Sequence, residues 1–124
     1  MKAQHRTATL IAALAMLTVA ACRSSDEETG MPAMLKIRFV TEMKTILTDV
    51  RRAEETAHTL GDRYLGLNEL RGQYLSRSVP ESYQLTLTDV TDSSYRAQVT
   101  HKASGLTCKL EVGTGQGSEN PTCD

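Results

Sequence analysis

The side chains through which this chain could act chemically are few: three cysteines, three histidines and some closely spaced hydroxyl and carboxylate groups. His58 sits near the end of a helical stretch, where an imidazole interacts favourably with the helix dipole, so a structural role is open to it. His101 and Ser104 are close enough in sequence to suggest a base beside a nucleophile. No strand-to-helix elbow, orienting carboxylate or oxyanion loop accompanies them. Glu54 and Glu55 are neighbours on a helix and point about 100° apart, so they cannot share a proton as a catalytic dyad. Gly113-x-Gly115-x-Gly117 lacks the following helix and the lysine of a phosphate loop and is expected to be a loose loop. No calcium-loop pattern occurs, and no cysteine–histidine cluster completes a tetrahedral metal set. The pattern predicts no catalytic residue, no metal site and no cofactor, and the chain is not expected to be an enzyme.

Cys22 has a different context from the other two cysteines. Lys2 and Arg6 precede a Leu- and Ala-rich run from about Ala8 to Ala21, too short to cross a bilayer comfortably as a permanent helix. Val19-Ala20-Ala21-Cys22 resembles the lipobox of bacterial lipoproteins, in which small residues fit the signal peptidase cleft and the cysteine sulfur receives a diacylglyceryl group. The resemblance implies a signal peptide over residues 1–21, a lipidated Cys22 as new amino terminus, and acyl chains such as palmitate as the membrane anchor. Two or three chains, at roughly 0.8 kcal/mol per buried methylene, hold a protein on a membrane far better than one. Arg23 follows where an aspartate would commonly mark inner-membrane retention, so the implied location is the cell envelope, with the outer membrane favoured in a diderm host. An ordinary secretory signal and an uncleaved amphipathic anchor are the alternatives.

Without residues 1–21, about a hundred residues remain, enough for one small domain with a modest core. Twelve Lys and Arg then face fifteen Asp and Glu, and there are four tyrosines, one phenylalanine and no tryptophan. That balance argues against nucleic acid as a partner, since a nucleic-acid surface needs a basic face and usually aromatic platforms. Cys108 and Cys123 form an even pair in an oxidising compartment and are expected to be disulfide-bonded. Closing a loop of about fifteen residues is worth roughly 3 kcal/mol in the chain-entropy model. Two free thiols, or half of a metal site, are the alternatives.

The elements that must position these residues follow from periodicity. Residues 22–30 comprise the lipidated cysteine and a polar tether, Arg23 to Gly30, which reaches about 25 Å at most when extended. Residues 31–124 form the domain. Pro32 suits the first turn of a helix and Gly61 the position just past its end. Between them Phe39, Met43, Ile46, Val50, Ala53, Ala57 and Leu60 recur at spacings of four and three, widened by Val40 and Leu47. Glu42, Lys44, Asp49, Arg51, Arg52, Glu54 and Glu55 mark a solvated opposite face. Such a helix is roughly 40 Å long, more than a domain of this size covers, so its first turns are expected to protrude toward the membrane. Met34, Leu35 and Ile37 on those turns form a candidate interaction patch. Asn68 is placed to cap a short helical motif that folds back onto the long helix through Tyr64, Leu67, Leu70 and Tyr74. After Val79-Pro80-Glu81 the period changes to two, giving strands around Tyr83–Thr88, Tyr95–Thr100 and Leu106–Val112 with short turns between them. The fold class is α+β: a long N-terminal α-helix packed on a three- to four-stranded antiparallel β-meander with a C-terminal disulfide loop.

The stretches Thr41-Glu42-Met43-Lys44-Thr45, Ala53-Glu54-Glu55 and Asp62-Arg63-Tyr64, followed by Tyr95 to His101 and Gly105 to Gly113, together resemble the globular domain of type IV pilins and pseudopilins. The resemblance spans most of residues 34–124. It implies that fold and an assembly or docking role. The chain departs from the family where the family builds its filament: its apolar segment carries no acidic residue, ends in a lipobox and is separated from the helix by a hydrophilic tether. Thr56, Ala57 and His58 also replace the aromatic that follows Ala-Glu-Glu in the family.

The resulting expectation is a membrane-anchored, non-enzymatic, pilin-like lipoprotein with a structural or protein-interaction role at the cell envelope, its partners being membrane lipid through acylated Cys22 and envelope, pilus or secretion proteins. The alternatives are a lipoprotein whose sheet face or tail loop binds a small polar ligand, and a minor pilin or pseudopilin subunit of a type IV filament.

Overall fold

A computed structural model describes residues 30–115 and 119–124. The segment that carries the lipobox and Cys22 lies outside the described residues. The architecture is α+β, with helix α1 (Ala33–Gly61) and helix α2 (Leu67–Gln73) followed by strands β1 (Tyr83–Thr88), β2 (Tyr95–His101), β3 (Thr107–Val112) and β4 (Thr122–Cys123). The strands form one antiparallel sheet in the order β1-β2-β3-β4. None of the described helices is long and apolar enough to cross a membrane.

Helix α1 begins at Pro32, whose carbonyl accepts the amides of Leu35 and Lys36, and it includes Gly61. The left-handed position that ends it belongs to Asp62 (φ 56°), so the stop lies one residue later than the glycine suggested. Aspartate tolerates this conformation better than most side chains. In α2, Asn68 lies inside the helix and Gly66 holds the N-cap position without a side-chain bond, because the chain turns into this helix two residues earlier than the expected cap.

The buried face of α1 is Met43, Leu47, Val50, Ala53, Glu54 and Ala57. Compared with the sequence stripe it is rotated: Leu47 takes a central place, while Phe39 and Ile46 pack at the margin. Leu60 is exposed on the last turn. At about 100° per residue, position 54 falls only ~20° from position 43 on the helix wheel. Glu54 therefore lies in the middle of the buried face, and its assignment to the solvated face is corrected.

Each long strand alternates as its sequence suggests. Tyr83 and Leu85 of β1, Tyr95, Ala97 and Val99 of β2, and Cys108, Leu110 and Val112 of β3 turn inward against α1. Register follows from Leu85 opposite Val99 and Val99 opposite Cys108. The β1–β2 turn is closed by Thr91, whose hydroxyl accepts the amides of Ser93 and Ser94. Gly113 (φ 73°) passes so close to the Ser93 carbonyl that a β-carbon there would collide with it. The chain then returns to pair β4 with β3, placing Cys123 opposite Cys108, to which it is disulfide-bonded with a Cα–Cα distance of 4.1 Å. Arg51 of α1 holds the returning segment by donating to the Glu119 carbonyl at 2.7 Å.

Candidate functional site

The residues singled out from the sequence fall in separate places. Cys108 is fully buried beneath the sheet and its sulfur is spent in the disulfide. Met34, Leu35 and Ile37 lie on the first turns of α1, ahead of Met43, the first residue of that helix to be buried. The exposure of Met34 is 80% and that of Ile37 is 62%, with Leu35 at 38%. The first turn carries no acidic side chain. An apolar patch of this kind is what water leaves unsatisfied and a partner surface covers.

Just beyond the patch, a set of polar groups ties α1 to the sheet. Phe39 stacks on the His101 ring with centroids 3.9 Å apart. The Tyr83 hydroxyl donates to Glu42 Oε2, and Arg38 donates to Glu42 Oε1 at 3.2 Å. The tyrosine bond, opposed by partial desolvation and helped by Arg38, holds the Glu42 carboxyl below the usual carboxylate range. Burial and the adjacent carboxylate push the Tyr83 phenol up. His101 Nδ1 lies 2.7 Å from Ser104 Oγ, and the same hydroxyl accepts the Leu106 amide at 3.3 Å. The structure thus brings His101 and Ser104 together, as a pair that closes the β2–β3 turn. His101 is buried beneath Phe39 and Tyr83, and Glu42 is bonded to Tyr83. The histidine serves as a stacking platform in this arrangement. Sequence reasoning placed it at a strand end without assigning it a face, although its inward register opposite Tyr83 follows from the β1–β2 alternation.

A buried cluster around Glu54 was not singled out from the sequence. Glu54 Oε2 accepts the Leu65 amide at 2.8 Å, which pins the segment after α1 onto the helix. Its Oε1 is buried without a hydrogen-bond partner among the described residues, as is the Tyr95 hydroxyl. Desolvation raises the Glu54 pKa to about 7, against the lowering effect of the Leu65 amide. Tyr95, driven up by burial and then by the Glu54 charge, stays protonated. Tyr64 meets the Tyr95 ring edge-on at 4.8 Å and the His58 ring at 4.5 Å, so His58 caps this cluster from the last turn of α1. The helix wheel was the signal available for Glu54. Its charge type concealed it.

Among the described residues, a groove of about 440 Å³ lies between α1 and the connection from α2 to β1. Ile46, Leu75, Val79 and Pro80 supply its apolar walls. Among the described residues no group of His, Cys, Asp and Glu has the arrangement of a metal site. The chain matches no protein-family model, no curated protein and no solved structure.

Proposed function

We propose that this protein is a membrane-anchored, non-enzymatic, pilin-like lipoprotein with a structural or protein-interaction role at the cell envelope. The observation that carries the proposal is the bare apolar start of α1, with Met34 and Ile37 largely in water at the point where the tether from Cys22 enters the domain. Fully covering each of these side chains is worth roughly 1.5–3 kcal/mol. Seating both offsets part of the cost of association, about 4–15 kcal/mol, and the remainder comes from the rest of the partner surface. The helix laid on a disulfide-closed antiparallel meander supports the pilin-like part of the proposal. The departures at the N-terminal segment favour display on lipid over packing into a filament core.

Two measurements test it. Intact mass of the protein from host membranes, beside a Cys22→Ala version, is expected to show cleavage before Cys22 with diacylglyceryl and acyl groups that the variant lacks. An unmodified, retained N-terminal segment would refute the anchor and restore filament assembly as the leading idea. Ile37→Asp is expected to leave the melting temperature unchanged and to release proteins co-purified with the anchored chain; unchanged co-purification would remove the patch from the interaction.

A further inference from the structure

We propose that the groove between α1 and the α2–β1 connection binds a single-chain anionic amphiphile, a long-chain carboxylate, with its acyl chain along the groove and its head group at Arg77. This does not depend on the Cys22 anchor. The groove's volume of about 440 Å³ lies within the ~300–1,000 Å³ of small-molecule sites. It runs on into a second hollow of about 460 Å³, the two sharing Thr41, Thr45, Asp49 and Arg77.

The walls favour an acyl chain over a peptide. Thr41 and Thr45 face the groove, but each hydroxyl donates to its own helix, to the carbonyls of Ile37 at 2.8 Å and Thr41 at 3.0 Å. These side chains therefore offer methyl groups to an occupant. The α1 backbone is paired within the helix, so this wall offers a peptide main chain no regular row of partners, only the carboxylates of Glu42 and Asp49, and most of the peptide's polar groups would be buried unmet. A hydrocarbon chain makes no such demand.

The second hollow supplies the charge. Lys44, Arg52 and Arg77 line it, and none of them joins an ion pair among the described residues. Asp49 is the one carboxylate in that lining. Glu42, at the apolar end, is engaged by Arg38 and Tyr83. The hollow is left with an excess of cations next to an apolar trough, which fits an anionic head joined to a tail.

The test uses the full-length chain carrying Cys22→Ala, so that no acyl group is attached, and Ser78→Trp at the groove rim as the only tryptophan. Dodecanoate and dodecyltrimethylammonium are titrated below their micellar concentrations. The expected result is a saturable blue shift with dodecanoate and at least tenfold weaker binding of the cationic amphiphile. Arg77→Glu is expected to weaken dodecanoate at least tenfold, and Thr45→Tyr, which fills the trough, to abolish the shift. If Arg77→Glu loses its cooperative melt, Lys44→Glu with Arg52→Glu reads the same charge effect. No saturable shift, equal affinity for the two head groups, or dodecanoate affinity unchanged by charge reversal would overturn the proposal.

Discussion

Glu54→Gln tests the internal electrostatics of the fold most directly. The carboxyl is completely buried, with one oxygen accepting the Leu65 amide and the other without a partner among the described residues. Its pKa rises from 4.5 to about 7 on folding because burial disfavours the charge. The folded state therefore holds the proton more tightly than the unfolded chain between those two values. Stability is greatest below pH 4.5 as far as this group is concerned, falls as pH rises, and reaches its floor above about 7. At 1.36 kcal/mol per unit the full span is about 3 kcal/mol, a large share of what a domain of this size possesses. Glutamine keeps an acceptor for the Leu65 amide and cannot ionise, so it reproduces the protonated form at every pH.

Urea unfolding of the full-length Cys22→Ala chain, followed by far-UV circular dichroism at pH 5 and pH 8, reads this out. With an m-value of ~1.5 kcal/mol/M, the midpoint of the glutamate form is expected to drop by about 2 M between the two pH values. The glutamine form is expected to stay level, and to exceed the glutamate form only at the higher pH. Glu42 does not confuse the result. Its folded pKa is lowered, so its contribution is present above 4.5 and is lost only as pH falls through the folded value. A glutamate form with no loss between pH 5 and pH 8, or a glutamine form that falls in parallel with it, would refute the argument.

Cys108→Ala is expected to lower stability by about 3 kcal/mol and to leave Cys123 open to alkylation; equal alkylation of the unsubstituted protein before and after reduction would contradict the bridge. Gly113→Ala is expected to cost more than 1 kcal/mol because its β-carbon meets the Ser93 carbonyl, whereas Gly115→Ala, with open space around it, pays only for its positive φ; comparable losses in a thermal melt would show that the contact yields. Asp62→Gly is expected to raise stability by a few tenths of a kcal/mol, since glycine adopts the left-handed cap without strain; a lower melting temperature would show that the aspartate side chain contributes there. Val50→Asp places a charge in a fully buried site and is expected to abolish the cooperative melt; an unchanged melt would mean that α1 does not pack on the sheet through this face.

The fold was legible in the sequence where local chemistry and long-range packing ask for the same residues. Tyr83 and Leu85, Tyr95 to Val99, and Cys108 to Val112 alternate because one face of each strand is dry, and this period survives any detail of the neighbours. The length of α1 was set by Pro32 and the turn after Gly61, and its bare first turns followed from a helix longer than the sheet it covers. What stayed hidden were positions at which tertiary contact overrides residue type. His101 looks like a strand end in one dimension, yet Phe39 arrives from another element to stack on it. Asn68 is a good cap by type, but the cap falls at Gly66, where the incoming chain sets the entry angle.

Glu54 shows the same conflict with a physical consequence. Hydrophobic patterning removes a carboxylate from the core face by definition, while helix geometry puts position 54 at the centre of that face. The two criteria disagree at a residue whose burial costs stability at neutral pH and which nevertheless fixes the Leu65 amide. A leucine at this position would fill the core and leave that amide without an acceptor. The glutamate therefore acts as the clasp that turns the chain from α1 toward α2.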